Sequence, residues 1–409
     1  MQRTTAPARL PIAGLSALAG ATFVSITGEF LPTGLLNDIS EDIRVTEAQV
    51  GLLVTVFAAT VVLATAPLAA LTRHYSRKRL VILVLLINTV ATLGTAIAPT
   101  YELLMGARVL AGLAHGLFWA VVGAYAAHLV TREQLPKAIV ITGFGGSAAF
   151  VLGVPLGTAL GHAVGWRLAF VAIAASMALL TVMVLIFLPP VDHRVTLRTG
   201  EIQVPFHRDR SLAAVLGLCA VIVIALTGQN VFYTYIAPYA IGPMGFDSGS
   251  VGPLLLLYGA TGVIGLLAAG PVAGRFPVAG IVVTAVGSAV LLVLLGLFVS
   301  SGAAVIALIA LWGLLQGAVA PLFQTRMMQV ASSRLRDPAA AWMTTAFNTG
   351  IGGGAALGAL LLTTAGIEIL PFVGALGIVI AAVTVVIVDR TTAADGHTGT
   401  LREPAASTS

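Results

Sequence analysis

The sequence predicts an all-α membrane protein with twelve transmembrane helices in two pseudo-symmetric six-helix halves. Of its 409 residues, 58% are hydrophobic and only 9% are charged, whereas about a quarter of the residues in a soluble domain are charged. The apolar residues form long continuous runs, which are typical of spanning helices rather than of alternating barrel strands. The two halves of the chain also repeat one another.

The apolar runs divide the chain into segments of the right length to cross a bilayer. About 20 mostly apolar residues are needed to span the hydrocarbon core as a helix. The first run is longer than a signal-peptide core and has no clear cleavage site, so we expect it to be retained as a span. The predicted spans lie near 10–36, 47–72, 79–99, 102–129, 137–163, 166–188, 212–237, 249–273, 278–299, 303–328, 338–364 and 369–388.

Twelve spans place both termini on the same side of the membrane, and the basic residues indicate which side. With the N-terminus inside, outer segments contain only Arg44 and Arg167 of the 21 Lys and Arg residues, and Arg108 lies within a span. Cytoplasmic loops carry the excess of Lys and Arg. We therefore expect a multi-pass protein of the cell membrane with both termini in the cytoplasm. The strong excess of arginine over lysine favours a bacterial source, where this would be the inner membrane.

The longest internal polar stretch lies at the midpoint of the chain. It predicts a cytoplasmic linker at 189–211 between an N-terminal half at 1–188 and a C-terminal half at 212–389. Residues 390–409 are polar and rich in small side chains, so we expect a disordered cytoplasmic tail.

An internal repeat relates the halves at an offset of about 200 residues. The segment TGE at 27–29 matches TGQ at 227–229, and GLAHG at 112–116 matches GLLQG at 313–317. Because each half has an even number of spans, the two copies share one topology and are related by an axis along the membrane normal. This arrangement predicts a substrate site between the halves near the midplane.

Local motifs resemble those of the major facilitator superfamily, and within it the twelve-span drug:proton antiporters related to sugar-efflux (arabinose-efflux-like) and chloramphenicol-resistance exporters. The resemblance covers the chain to about residue 390. It rests on GEFLPTGLL at 28–36, the basic loop RHYSRKR at 73–79, Arg108 with Gly112 in the fourth span, and GVPLG at 153–157. The loop departs from the family pattern, because Ala69 and Arg73 stand where the family usually has Gly and Asp.

The resemblance implies a fold of two six-helix halves that alternately open to each side, and export rather than import. It gives Arg108 a role in proton coupling. It implies gating at the basic loop, at Arg73, Arg77 and Lys78. The simpler interpretation of these residues is that they determine topology, because they mark the cytoplasmic side. Finally, it implies a functional bend at Gly153, Pro155 and Gly157, where four-residue glycine spacing by itself indicates close helix packing.

Glu29 is the strongest candidate for chemistry, because it is the one acidic residue predicted inside the membrane. An ionisable residue at that depth is costly and marks function by default. Low dielectric favours the protonated carboxyl, which suits a carrier that exchanges protons. The alternative is a structural carboxylate that is hydrogen-bonded near the outer interface.

Arg108 and His115 are the other ionisable candidates for proton coupling. Arg108 needs an anion, a set of carbonyls or a water-filled cavity, unless it extends to the outer interface as a structural residue. A histidine side chain titrates near neutral pH, which suits a role for His115 in the proton path or in substrate binding, but a histidine here is equally typical of interhelical hydrogen bonding.

Uncharged polar residues in the spans are candidates for binding a neutral or polar substrate. Interhelical hydrogen bonding explains them nearly as well. They are Trp119, one turn from His115 on the same face, and Gln229, Asn230, Tyr233, Gln316 and Asn348.

The chain offers no constellation for an enzyme or a cofactor. It has one cysteine, Cys219, no HExxH or GxSxG motif, and two lysines without a phosphate-binding loop. We therefore expect no cofactor, no metal, no ATP drive and no nucleic-acid partner. The predicted function is proton-coupled efflux of a small organic molecule, such as a drug, sugar or metabolite, by a monomer. A passive facilitator, a membrane-embedded enzyme and a non-transporting receptor are the alternatives.

Overall fold

A computed structural model describes residues 11–72, 74–130, 134–190, 209, 211–332 and 335–399 of the chain. This part of the protein is helical and contains no strand. Its helices are α1 (Ile12–Gly34), α2 (Leu36–Ile43), α3 (Glu47–Leu71), α4 (Arg77–Ile97), α5 (Tyr101–Leu129), α6 (Leu135–Ala148), α7 (Val154–Val164), α8 (Trp166–Phe187), α9 (Leu212–Tyr233), α10 (Ile236–Ile241), α11 (Ser248–Arg275), α12 (Pro277–Leu297), α13 (Gly302–Val330), α14 (Arg336–Thr364) and α15 (Leu370–Gly399).

Twelve helical segments within the described ranges are long and apolar enough to cross a membrane, as predicted. The fifth span joins α6 and α7 through a π-helical segment at Ala149–Gly153. The predicted first and seventh spans each end early, and the short helices α2 and α10 follow them. Large apolar side chains such as Leu63, Ile97 and Leu267 are more than 70% exposed, which suits contact with lipid.

Local signals in the sequence set several helix ends. Thr46 and Gln49 form a reciprocal capping box at the start of α3. The Asp247 side chain caps α11 by accepting a hydrogen bond from the Ser250 amide. Gly165 has a φ of +94° between α7 and α8, a conformation that glycine adopts without steric cost.

Glycines allow close packing inside each half. We call α1–α8 the first half and α9–α15 the second half. A Cβ at Gly153 would overlap Thr27 of α1, and one at Gly157 would lie 2.8 Å from Leu31 of the same helix. In the second half, a Cβ at Gly354 of α14 would lie 2.6 Å from the Asn230 Cβ of α9. The predicted close packing at Gly153 and Gly157 is thus a contact with α1, and Gly354 makes a similar α9–α14 contact in the second half.

The halves meet through α3 against α14 and through α7 and the π-helical segment against α11. The Thr55 hydroxyl donates to the Gly352 carbonyl at 3.1 Å, and Gly252 packs against Ala159. These contacts lie toward the N-terminal ends of α3 and α11, which the charge distribution predicts to face outside. At the opposite end, the Lys78 amine donates to the Leu185 carbonyl at 2.8 Å within the first half.

The predicted linker at 189–211 lies almost wholly outside the described residues, so its limits stay a prediction. Helix α15 continues past residue 390, where we expected a disordered tail, and ends at Gly399. Residues 400–409 lie outside the described range.

Candidate functional site

Three ionisable residues meet inside the first half. Glu29 of α1 is 5% exposed, and Arg108 and His115 of α5 are each 2% exposed. The Oε2 of Glu29 lies 3.3 Å from the Nε2 of His115. The structure thus brings together the residues that the sequence singled out for proton coupling, and that role stays a prediction.

Arg108 binds backbone carbonyls of α1. Its Nη1 donates to the Gly28 carbonyl at 3.1 Å and its Nη2 to the Glu29 carbonyl at 2.8 Å. Pro32 lies inside α1, and because proline has no N–H, the Gly28 carbonyl four residues earlier lacks its helical donor. Arg108 supplies that donor. Its guanidinium also lies 4.7 Å from the centre of the Phe57 ring.

His115 has a hydrogen-bond partner at each ring nitrogen. Its Nδ1 lies 2.9 Å from the Ser25 hydroxyl, which also accepts from the Asn88 amide at 3.3 Å. The Trp119 indole donates to its Nε2 at 2.6 Å, so the predicted shared face of His115 and Trp119 is confirmed. The sequence reasoning missed Ser25 and Asn88. The signal available for them was a polar side chain within an apolar span.

The second half contains a comparable network of uncharged side chains. The Gln316 amide donates to the Gln229 side-chain oxygen and, at 3.3 Å, to the Ser288 hydroxyl. Gln229 in turn donates to the Tyr258 hydroxyl at 3.1 Å. Gln229, Ser288 and Gln316 also line a small cavity between α9, α12, α13 and α15.

The two networks occupy equivalent places in the repeat. Gln229 aligns with Glu29, and Gln316 aligns with His115. In each half these two residues contact one another across the first and fourth spans. The repeat seen in sequence is therefore a repeat of contacts, titratable in the first half and neutral in the second.

An aromatic cluster joins the halves beside Glu29. The rings of Tyr233 and Tyr258 are 5.3 Å apart, and those of Tyr258 and Trp312 are 4.9 Å apart. Phe30 of the first half lies 6.4 Å from Tyr233 and 4.8 Å from Phe150 of the π-helical segment. The buried indole N–H of Trp312 has no acceptor among the described residues. Of this cluster the sequence analysis selected only Tyr233.

The two asparagines predicted for substrate binding are not part of these networks. The Asn230 amide donates to the Leu226 carbonyl of its own helix at 2.9 Å, and the Asn348 amide donates to the Thr344 carbonyl at 3.1 Å. The side-chain oxygen of Asn348 is buried and has no partner among the described residues. Their role in binding stays a prediction.

The predicted gating residues fall into two groups, the residues of the basic loop at 73–79 and the bend at Gly153–Gly157. Arg73 lies outside the described residues. Arg77 and Lys78 begin α4, and Lys78 contacts the end of α8. Gly153 and Gly157 pack on α1, with Pro155 in the first turn of α7. These contacts establish packing, and gating stays a prediction.

No group of three metal-ligating side chains occurs among the described residues.

Comparisons with known proteins give the family. The profile of the Major Facilitator Superfamily matches residues 18–337. A chloramphenicol efflux pump of Mycobacterium tuberculosis is 34% identical over 360 residues, which cover 85% of each chain. A protein of Mannheimia succiniciproducens described as a "Probable sugar efflux transporter" is 29% identical over 371 residues, covering 90% of this chain and 91% of the other.

Solved structures share the fold at low sequence identity. An inward-facing bacterial homologue of the human lysosomal transporter Spinster has a TM-score of 0.77 at 14% identity, covering 95% of this chain and 99% of that one. The nucleoside transporter NupG has a TM-score of 0.71 at 13% identity, covering 92% and 99%. The chain therefore has the predicted fold and belongs to the Major Facilitator Superfamily, as a multi-pass membrane transporter and not an enzyme.

Proposed function

We propose that this protein exports a small organic molecule in exchange for protons, by alternating access. The relatives described as chloramphenicol and sugar efflux proteins support export and make an amphipathic drug or a sugar the substrate class. A single chain contains both halves, and we propose that it works as a monomer in the cell membrane with both termini in the cytoplasm.

The observation that carries this proposal is the contact between Glu29 and His115. A buried carboxyl 3.3 Å from a buried imidazole can hold one proton between two sites. The equivalent pair in the second half, Gln229 with Gln316, cannot titrate. A packing requirement alone is met by the neutral pair, so the ionisable pair indicates proton exchange.

We propose a separate part for each residue. Glu29 exchanges protons with His115, and Arg108 holds the backbone of α1 that carries Glu29. Tyr233 and Trp312, beside the network of Gln229 and Gln316, would contact a substrate between the halves. The described arrangement joins the halves near their predicted outer ends, so we propose that it opens to the cytoplasm.

Rocking of the halves would then expose the site to the outside. We propose that the bend at Gly153–Gly157 accommodates this motion. The segment containing Arg73, Arg77 and Lys78 would contact the other half when the inner side closes, and Asn348 and Asn230 would line the pathway.

The test uses purified protein in proteoliposomes with an acidic lumen and radiolabelled chloramphenicol outside. Outward proton flow should drive accumulation. Because one-to-one exchange of a proton for a neutral substrate moves charge, the membrane potential is held at zero with potassium and valinomycin, and a tenfold proton ratio then sustains a roughly tenfold substrate ratio. Glu29→Gln should abolish accumulation yet still exchange labelled for unlabelled chloramphenicol, because that exchange needs no proton. The matched control is Glu102→Gln, since Glu102 is an exposed carboxyl at the start of α5.

Equilibration of chloramphenicol without accumulation in the wild-type protein would identify a passive facilitator and overturn the proposal. Accumulation by Glu29→Gln at the wild-type level would remove Glu29 from the proton path. The same assay repeated with labelled arabinose distinguishes the drug from the sugar as substrate class.

A further inference from the structure

We propose that Trp119 couples substrate to proton by blocking the Nε2 of His115 until a substrate takes its indole N–H. This inference rests on the proposed function and names the contact through which the substrate acts. It also defines a chemical requirement for the substrate, which must present a hydrogen-bond acceptor beside an apolar surface.

The partners of His115 fix the state of its ring. The indole N–H of Trp119 is a donor only, and it lies 2.6 Å from Nε2, so Nε2 must accept and carries no proton. The proton of the neutral ring is then on Nδ1, which donates to the Ser25 hydroxyl at 2.9 Å. That hydroxyl also accepts from Asn88, which suits its two lone pairs.

This state leaves no place for a proton from Glu29. The Oε2 of Glu29 lies 3.3 Å from the same Nε2, but a ring nitrogen has one lone pair and Trp119 occupies it. A proton on Nε2 would also bring two N–H groups together at the 2.6 Å separation of the nitrogens. The contact with Trp119 and the protonation of Nε2 therefore exclude one another.

No other charged side chain among the described residues competes for this nitrogen. Glu29 faces His115 from α1, and Arg108 of the same helix as His115 is engaged with the Gly28 and Glu29 carbonyls. From α3 the ring facing His115 is the uncharged Phe57, at 5.1 Å between centres. Asn88 of α4 reaches it only through Ser25.

Trp119 is the most exposed member of this network, so we expect it to be the member that a substrate contacts. His115 and Glu29 are almost fully buried, whereas Trp119 is half-buried. The repeat supports a specific role, because Ala320 aligns with Trp119 and Ala225 aligns with Ser25 in the neutral half. The second half, whose Gln229–Gln316 pair does not titrate, therefore has neither the indole nor the hydroxyl that contacts the His115 ring.

Release of the indole N–H allows the proton step. A substrate oxygen that accepts from Trp119 frees the Nε2 lone pair. The proton on Glu29 then moves to Nε2, which leaves a carboxylate beside an imidazolium. A nitro, carbonyl or hydroxyl oxygen next to an aromatic or apolar face matches the indole edge and ring.

The test is Trp119→Phe in proteoliposomes that contain a pH-sensitive dye. The variant keeps a ring but removes the N–H, so protons should cross without substrate. Since a hydrogen bond is worth about 1 kcal/mol, we expect a roughly fivefold to tenfold faster substrate-free proton leak and reduced chloramphenicol accumulation, with chloramphenicol exchange retained. The matched control is Trp166→Phe, which removes the hydrogen bond of an indole to Asp42 outside the site and should behave as wild type.

Adding Glu29→Gln to Trp119→Phe should abolish the leak, because the leak passes through Glu29. A wild-type leak rate and wild-type accumulation in Trp119→Phe would overturn the inference. If the wild-type protein itself does not accumulate chloramphenicol, the proposed function fails instead.

A second measurement serves if Trp119→Phe does not fold. The indole ¹⁵N–H signal of Trp119, assigned by elimination with single variants of the other tryptophans, should shift when chloramphenicol is added to the wild-type protein. No shift at a saturating concentration that supports exchange would overturn the inference.

Discussion

At the scale of single residues, the fold depends on a pairing between a proline and an arginine. Pro32 removes the donor that the Gly28 carbonyl needs, and Arg108 replaces it from α5. Lipid offers no water to satisfy a free carbonyl. The position of Arg108 therefore follows from the sequence of α1 as much as from its own charge.

This pairing predicts energetic coupling between the two positions. Arg108→Leu leaves a buried carbonyl unpaired and should lower the free energy of unfolding by about 1–3 kcal/mol. In a Pro32→Ala background the backbone amide of the introduced alanine restores the helical donor, so the same change should cost clearly less. A double-mutant cycle from SDS titrations in mixed micelles measures the difference.

The control for this cycle is Arg167→Leu, because Arg167 also donates to backbone carbonyls, but to those of Ala96 and Ala98 rather than to carbonyls of α1. Its effect should be the same in both backgrounds. Equal costs of Arg108→Leu with and without Pro32 would contradict this account of the site.

At the scale of elements, hydropathy located the spans but not the π-helical segment and helix breaks within them. Long apolar runs report the thickness of the bilayer, and this is why each span was found. The π-helical segment at Ala149–Gly153 has no such signal, since it depends on how Phe150 and Gly153 pack against α11 and α1. The short helices α2 and α10 also escaped prediction. The apolar pattern continues through the helix break at Thr234, whereas α2 lies in the polar segment that follows the first predicted span.

The π-helical segment gives α11 a surface that only a glycine can approach. A Cβ at Gly259 would lie 2.7 Å from the Val151 Cα and 2.5 Å from the Phe150 carbonyl oxygen. Both are backbone atoms, which cannot rotate aside. Widened helices of this kind occur often at functional sites, and this one lies where the halves meet.

Gly259→Ala should therefore push the halves apart at this contact. We expect a loss of about 1–3 kcal/mol in the free energy of unfolding and slower chloramphenicol accumulation. Gly270→Ala on the same helix is the control, because nothing lies within 4 Å of its built Cβ. It should be neutral or slightly stabilising, since alanine favours helix over glycine. Equal behaviour of the two variants would exclude a tight contact at Gly259.

At the scale of the whole molecule, the repeat predicted more of the site than any single motif. Aligning 29 with 229 and 115 with 316 selected the residues that contact one another in each half. The aromatic cluster could not be found in this way, because Phe30, Phe150 and Trp312 come from different spans and have no shared spacing. Long-range packing decides which apolar residues line a cavity, and sequence periodicity carries no information about it.

The contact between α7 and α11, where the two halves meet, allows a direct test of alternating access. The Cβ of Ala159 on α7 lies 3.2 Å from a Cβ built at Gly252 on α11, slightly closer than the usual disulfide separation of about 3.5–4.5 Å. With the native cysteine removed by Cys219→Ala, the pair Ala159→Cys and Gly252→Cys should form a disulfide on oxidation. This bond would fix the predicted outer ends together.

If transport requires the halves to separate at this contact, the oxidised double-cysteine protein should exchange chloramphenicol at the protein-free background rate and recover on reduction. Each single-cysteine variant should exchange chloramphenicol at the same rate with and without oxidant. These variants control for oxidative damage elsewhere and for the larger side chain at Gly252. Binding of chloramphenicol should persist in the locked protein, because the predicted inner side stays open. Full exchange by protein that mass spectrometry shows to be cross-linked would mean that the halves do not separate between α7 and α11, and that the substrate path lies elsewhere.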